Sequence, residues 1–185
     1  MNNFAVLTRL LHRITSLRRD ERGVSAVEFA MLLPLMLTLY LGAVEVSQGV
    51  TIHRKVTLTA RTVADLASQV TSINNASMTN MLKAAEAVIA PFPAGELKVT
   101  VSAVTIDANG VATVAWSDTL NGTARGVNST VSLPTALNVP NSQLIWGEVY
   151  YTYTPTIGYV LTGALNLFDQ LYMRPRLSET VARTT

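Results

Sequence analysis

From Phe29 to Val44 the chain carries no charged side chain, and extending the run back to Val24 adds a single carboxylate, Glu28. The 21 residues from Val24 to Val44 make, at about 1.5 Å each, a helix of about 31 Å, matching a hydrocarbon layer of about 30 Å. Arg9, Arg13, Arg18, Arg19 and Arg22 precede the run against only Asp20 and Glu21, while Arg54 and Lys55 come well after it. That imbalance predicts a cytoplasmic N-terminus and an outward-facing remainder. A removable secretory signal shares the basic flank and apolar core, but this run is longer than such cores. It also ends in Leu41-Gly42-Ala43-Val44-Glu45, with no small-x-small cleavage site, so a membrane anchor is expected.

Beyond the span the polarity changes without a helix stop, because Gly49 is isolated and the next proline after Pro34 is Pro91. Ile52, Val56, Ala60, Val63, Ala67 and Val70 recur at spacings of four and three, one apolar stripe on a helix, with Arg54, Lys55, Arg61 and Asp65 off it. The pattern predicts that the membrane helix continues to about Gln69 as an amphipathic stalk that needs something to pack on. Pro34, inside the span, removes one backbone bond and is expected to kink the helix or to serve assembly.

A loop is predicted at Thr71–Asn75, then a second helix with Met78, Met81, Leu82, Ala85, Val88 and Ile89 on its apolar face, closed by Pro91-Phe92-Pro93. Leu97, Val99, Val101 and Ala103 alternate with Lys98, Thr100 and Ser102 as a half-buried strand does. Asp107-Ala108-Asn109-Gly110 supplies a turn, and Val111–Ser117 returns as the hairpin partner. Residues 125–140 read as an irregular connection. Leu144–Thr154 is the strongest strand, with Ile145, Val149, Tyr151 and Tyr153 on one face and Trp146 and Tyr150 on the other. Leu171–Leu177 is predicted as an edge strand, since Pro175 is confined to edges or bulges.

Composition narrows the chemistry. The net charge of +2 belongs to the leader: without residues 1–23, nine Lys and Arg face ten Asp and Glu, so no nucleic-acid partner is expected. Cysteine is absent and the two histidines are His12 and His53. Neither a Ser-His-Asp nor a Cys-His site can therefore form in the globular part, and zinc sites of His and Cys fail likewise. There is no Gly-rich phosphate loop, and Asp107, Asp118, Glu148 and Asp169 are scattered. No enzyme activity, catalytic residue, cofactor or metal site is expected.

The informative constellation is Gly23, Val24 and Glu28. One reading makes Ser25-x-x-Glu28 a capping box, in which the serine hydroxyl and the glutamate satisfy free N–H groups at a helix start. The other makes Gly23 a cleavage point and Val24 a new N-terminus, with Glu28 one turn on neutralising the released α-amine inside the bilayer. Both can hold after cleavage.

Arg22-Gly23 followed by Val24-Ser25-Ala26-Val27-Glu28-Phe29, with a basic leader and an apolar helix, resembles the class III type IV signal peptide of the TadE-like proteins of tight-adherence (Tad, or Flp) pili. Thr62–Gln69 on the stalk, Val149–Tyr153 and the terminal Arg174–Ser178 are also similar to that family. The resemblance implies a prepilin peptidase cutting after Gly23, with Glu28 as the fifth mature residue. Phe29 departs from the tyrosine common at its position in the major Flp pilin, and the mature chain is far longer than that pilin. A minor, pilin-like subunit is implied.

The expected molecule is α+β. Residues 1–23 form a cleaved leader, 24–45 a transmembrane helix, 46–70 an amphipathic stalk and 71–185 a periplasmic domain with a small antiparallel sheet. Its site residues are Gly23, Val24 and Glu28 for processing, and Glu28, Phe29 and Pro34 for the membrane helix in assembly. Its expected location is the inner membrane, single-pass, and the filament once assembled. Its implied partners are the prepilin peptidase, other Tad pilins and pseudopilins, the inner-membrane assembly machinery and membrane lipid. Two rivals stand beside a pilus subunit: a permanent assembly-platform component, and an anchored periplasmic module that binds sugar or peptide through Trp146 and the tyrosine face. Aromatics buried against the stalk are expected in place of that last reading.

Overall fold

The computed structural model describes residues 22–155, 158 and 163–185. Residues 1–21 of the expected leader, with His12, lie outside them. The chain divides into one unit ending at Val44 and a second unit, Glu45–Thr185. Helix α1, Arg22–Ser68, carries the first unit's described residues and enters the second. The second unit continues with β1 (Ser72–Ile73), α2 (Asn75–Ile89), β2 (Leu97–Ile106), β3 (Ala112–Leu120), β4 (Ser142–Tyr153), β5 (Leu165–Met173) and β6 (Ala182–Arg183). This is an α+β molecule: a long apolar N-terminal helix and a small antiparallel sheet in the order β3-β2-β4-β5.

The stalk stripe is the spine of the second unit's core. Ile52, Val56, Ala60, Val63 and Ala67 are buried, as is Ala64, while Arg54 and Arg61 are exposed. They pack with the inner face of the sheet: Leu97, Val99, Val101 and Ala103 of β2, Trp116 of β3, and Ile145, Val149, Tyr151 and Tyr153 of β4. The small residues Ala60 and Ala64 let helix and sheet approach closely at Gly147. A Cβ there would lie 3.0 Å from the Ala60 carbonyl oxygen and 3.1 Å from the Ala64 Cβ.

Helix α2 adds Met78, Met81, Ala85 and Ile89 to the same core. Asn74 caps its start, the side-chain oxygen accepting from the Ser77 amide at 2.8 Å. Its last turn holds no basic residue, and Lys55 of α1 supplies one, its ammonium donating to the carbonyls of Val88 and Ala90. A cation there satisfies terminal carbonyls and complements the negative end of the helix dipole. Lys55→Met should therefore lower stability by about 1 kcal/mol, read as a reduced denaturant midpoint with an unchanged slope.

Several boundaries differ from the sequence reading, each for a physical reason. The segment read as a loop contains β1, which pairs in parallel with β6 over Ser72↔Ala182 and Ile73↔Arg183. Strand β2 runs three residues past Ala103. Its register against β3 shifts between Ala103 and Val104, and Val104 and Ile106 belong to a second cluster with Ala112, Leu144 and Trp146. Val131, Leu133 and Leu137 of the irregular connection cover that cluster.

The last long strand is Leu165–Met173, not Leu171–Leu177, and it stops before Pro175, which has no N–H to offer a ladder. It is the sheet's edge, and Asp169 sits in its inward row opposite Val149. The Asp169 carboxylate accepts from the Gln170 amide at 2.8 Å and from the Thr57 hydroxyl of α1. An inward charge that occupies an edge amide blocks pairing with another chain. Asp169→Val should free that amide and appear as concentration-dependent self-association of the detergent-solubilised protein in light scattering.

Candidate functional site

A Cβ built on Gly23 meets nothing within 4 Å. Glycine inside a helix costs about 0.5–1 kcal/mol relative to alanine, so nothing in the packing calls for glycine at this position. Val24 and Glu28 are four residues apart on the helix and therefore neighbours on one face. Among the described residues Glu28 makes no ion pair.

The capping box does not form in this chain. Helix α1 already includes Arg22, Gly23 and Val24, whereas a capping serine needs extended backbone ahead of the first turn. Ser25 is inside the helix because no breaker other than Gly23 precedes it.

Around the rest of this helix every large apolar side chain from Val24 to Tyr40 stands exposed, Phe29 at 56% and Met31 at 77%. Soluble monomers rarely show apolar patches beyond a few hundred Å², so these side chains require lipid or other apolar helices. α1 is the one helix among the described residues long and apolar enough to cross a membrane, which suits single-pass anchoring. It runs through Pro34 without interruption. Proline leaves the Ala30 carbonyl without its usual partner, and the Thr38 hydroxyl donates to the Pro34 carbonyl at 2.8 Å. A threonine bonded back to the i−4 carbonyl bends helices, so Pro34 and Thr38 act on one turn.

In the second unit the aromatic strand divides between two faces. Tyr151 and Tyr153 are buried on the inner side, and the Tyr153 hydroxyl donates to the Gln48 side chain at 2.9 Å. Burial pushes the Tyr153 phenol above its ordinary range, with Glu45 adding to the effect. Tyr151 shifts the same way, again by burial first and then by Glu96 and Tyr153.

Trp146 is buried too, but not against the stalk. It lies on the sheet's outer face, where it stacks on Tyr172 with centroids 5.2 Å apart and carries the Arg125 guanidinium 3.9 Å from its ring centroid. Arg125 also grips Glu148, which is almost fully buried, its Nη2 2.7 Å from Oε1 and its Nε 3.1 Å from Oε2. Tyr150 remains exposed, stacked on Phe168 at 4.3 Å. The expected burial against the stalk thus holds for Tyr151 and Tyr153 and fails for Trp146 and Tyr150, which the alternation had already placed on the opposite face. Arg125, Phe168 and Tyr172 went unread. The period-two pattern of β5 was the available signal for the last two, and Arg125 sits in a connection with no pattern.

No group of three or more His, Cys, Asp or Glu side chains that could hold a metal ion occurs among the described residues.

Compared with known protein families, residues 23–65 match the model described as TadE-like protein, less than half of the chain. Comparison with curated proteins and with solved structures finds no match. The matched segment starts at Gly23 and runs through the apolar run and most of the stalk, and over that segment the chain is similar to TadE-like proteins.

Proposed function

We propose that the chain is a minor, pilin-like subunit of a Tad pilus, held in the inner membrane by α1 until it is drawn into the filament. One observation carries this reading: a family-matched helix whose large apolar side chains are bare on every side from Val24 to Tyr40. Lipid satisfies such a surface before assembly, and the helices of neighbouring subunits satisfy it afterwards. At about 25 cal/mol per Å² of apolar area, reburial is worth tens of kcal/mol gross, so packing holds the subunit without covalent chemistry.

Processing fits the same segment. A prepilin peptidase cuts after Gly23, a residue that no packing explains. Val24 then carries a free α-amine beside Glu28, and the pair meets the rule that a charge within a span has a partner. With the helix now starting at Val24, Ser25 returns to the helix end, where it and Glu28 can cap free amides. The arginine excess before the span supports a cytoplasmic N-terminus and a periplasmic second unit. Phe29 and Pro34 lie on the surface offered to neighbouring helices, where Pro34 and Thr38 set the local bend. The partners on this reading are the peptidase, other Tad pilins and pseudopilins, the assembly machinery and lipid.

The test is to sequence the N-terminus of the membrane-bound protein and to look for the chain in sheared surface fibres. A start at Val24 with presence in the fibres is expected, and a start elsewhere or absence from the fibres refutes the subunit role. Glu28→Gln should leave membrane insertion intact, because a neutral side chain enters the bilayer more readily than a carboxylate. Its level in sheared fibres, by quantitative immunoblot, should fall about tenfold, corresponding to about 1.4 kcal/mol of lost pairing.

A further inference from the structure

We propose that the hollow beside Tyr150 on the outer face of the sheet binds one residue of an uncharged saccharide, a function separate from filament packing by α1. The hollow holds about 230 Å³ and is lined by Thr100, Thr123, Ala124, Arg125, Glu148 and Tyr150. That is below the roughly 300 Å³ where pockets for drug-sized ligands begin, and it suits a single ring.

Its chemistry selects the ligand. Tyr150 is 47% exposed, with Phe168 stacked on it; the two cross-strand partners form a firm aromatic wall against which the C–H face of a pyranose can lie. Arg125 spends Nε and Nη2 on Glu148. Its Nη1 makes no hydrogen bond among the described residues, leaving a planar donor held in place by Glu148 and the Trp146 ring. Thr123 adds a hydroxyl that donates or accepts, and Thr100, whose proton goes to the Thr119 hydroxyl, adds an acceptor.

The charges of Arg125 and Glu148 cancel within the hollow, so a polyanion finds no excess of cations to replace its counterions. A neutral ring rich in hydroxyls meets donors, acceptors and an aromatic face together. The frame is rigid, since Thr100 and Glu148 are direct partners across β2 and β4, and preorganised side chains lose little freedom on binding.

The experiment uses the full-length protein in lipid nanodiscs prepared without glycoside detergents. It is titrated calorimetrically with maltohexaose, cellohexaose and chitohexaose, and with oligo-dT as a polyanionic probe. At least one neutral hexaose should bind with a Kd at or below about 1 mM. Tyr150→Ala should weaken it about tenfold and Tyr150→Phe by less than about threefold, with unchanged thermal midpoints. Thr123→Val, in the connection and outside the strands, gives a second loss of affinity should the alanine variant fold poorly. The proposal is overturned if no hexaose binds below about 10 mM, if binding is indifferent to both Tyr150→Ala and Thr123→Val, or if oligo-dT alone binds.

Discussion

Gly147→Val should destabilise the Glu45–Thr185 unit by about 3 kcal/mol, lowering its thermal midpoint by roughly 10 °C. The reason is the approach of α1 to the sheet. The first added carbon already meets the Ala60 carbonyl at 3.0 Å and the Ala64 methyl at 3.1 Å, and valine's two further methyls have no free volume. Helix and sheet must part, and the buried row from Ile52 to Ala67 loses contact with β2 and β4. Gly49→Ala is the control: it lies in α1 with nothing within 4 Å of its built Cβ. It should gain up to about 1 kcal/mol from helix propensity. Melting both variants beside the parent settles the matter, and an unchanged midpoint for Gly147→Val would mean the close approach is not real.

Gly23→Trp should abolish maturation altogether. On the proposed processing, the peptidase accepts only a small residue at the cut, and an indole there prevents the scissile bond from entering the site. All of the protein should then retain the 23 residues up to Gly23, visible as slower migration and as a missing Val24 N-terminus. The retained arginines could not follow the span out of the bilayer, so the variant should be missing from sheared fibres while still in the membrane fraction. Normal migration of the variant would remove the cleavage claim, whereas a parent protein that is cut before Val24 yet absent from the fibres would remove only the subunit claim.

What could be read in the chain beforehand was what repeats. The stalk stripe Ile52-Val56-Ala60-Val63-Ala67 and the alternation of Leu144–Thr154 each report the burial of one face many times over, so single exceptions do not obscure them. The segment 23–29 was legible for another reason: it resembles a family whose match in this chain begins at Gly23. What escaped was either too short or dependent on distant partners. Two-residue strands such as β1 and β6 carry no period. Val104 looks like an error in the alternation until the connection carrying Val131 and Leu133 is seen to cover the sheet's other face. Asp169 breaks the inward row of β5, because its partners there are the Gln170 amide and the Thr57 hydroxyl of a distant helix. Ser25-x-x-Glu28 satisfied the capping pattern, yet helix α1 already includes the residues before it. Gly147 left a clue, since an isolated glycine within a strand often marks a close backbone approach, but only the geometry says that Ala60 is what approaches.

The seam at Val181–Thr184 has a practical bearing. The Trp116 indole donates to the Val181 carbonyl, the Gln143 side chain receives the Val181 amide, and the amides of Ala182 and Thr184 donate to Thr71 and Ile73. Arg183 adds Asp118 and Asn75. What the primary structure presents as a tail is thus a zipper that joins the loop after the stalk to the hairpin. An affinity handle or fluorescent reporter fused at this end should follow a long flexible spacer, or it will pry at the fastening and report on its own disturbance.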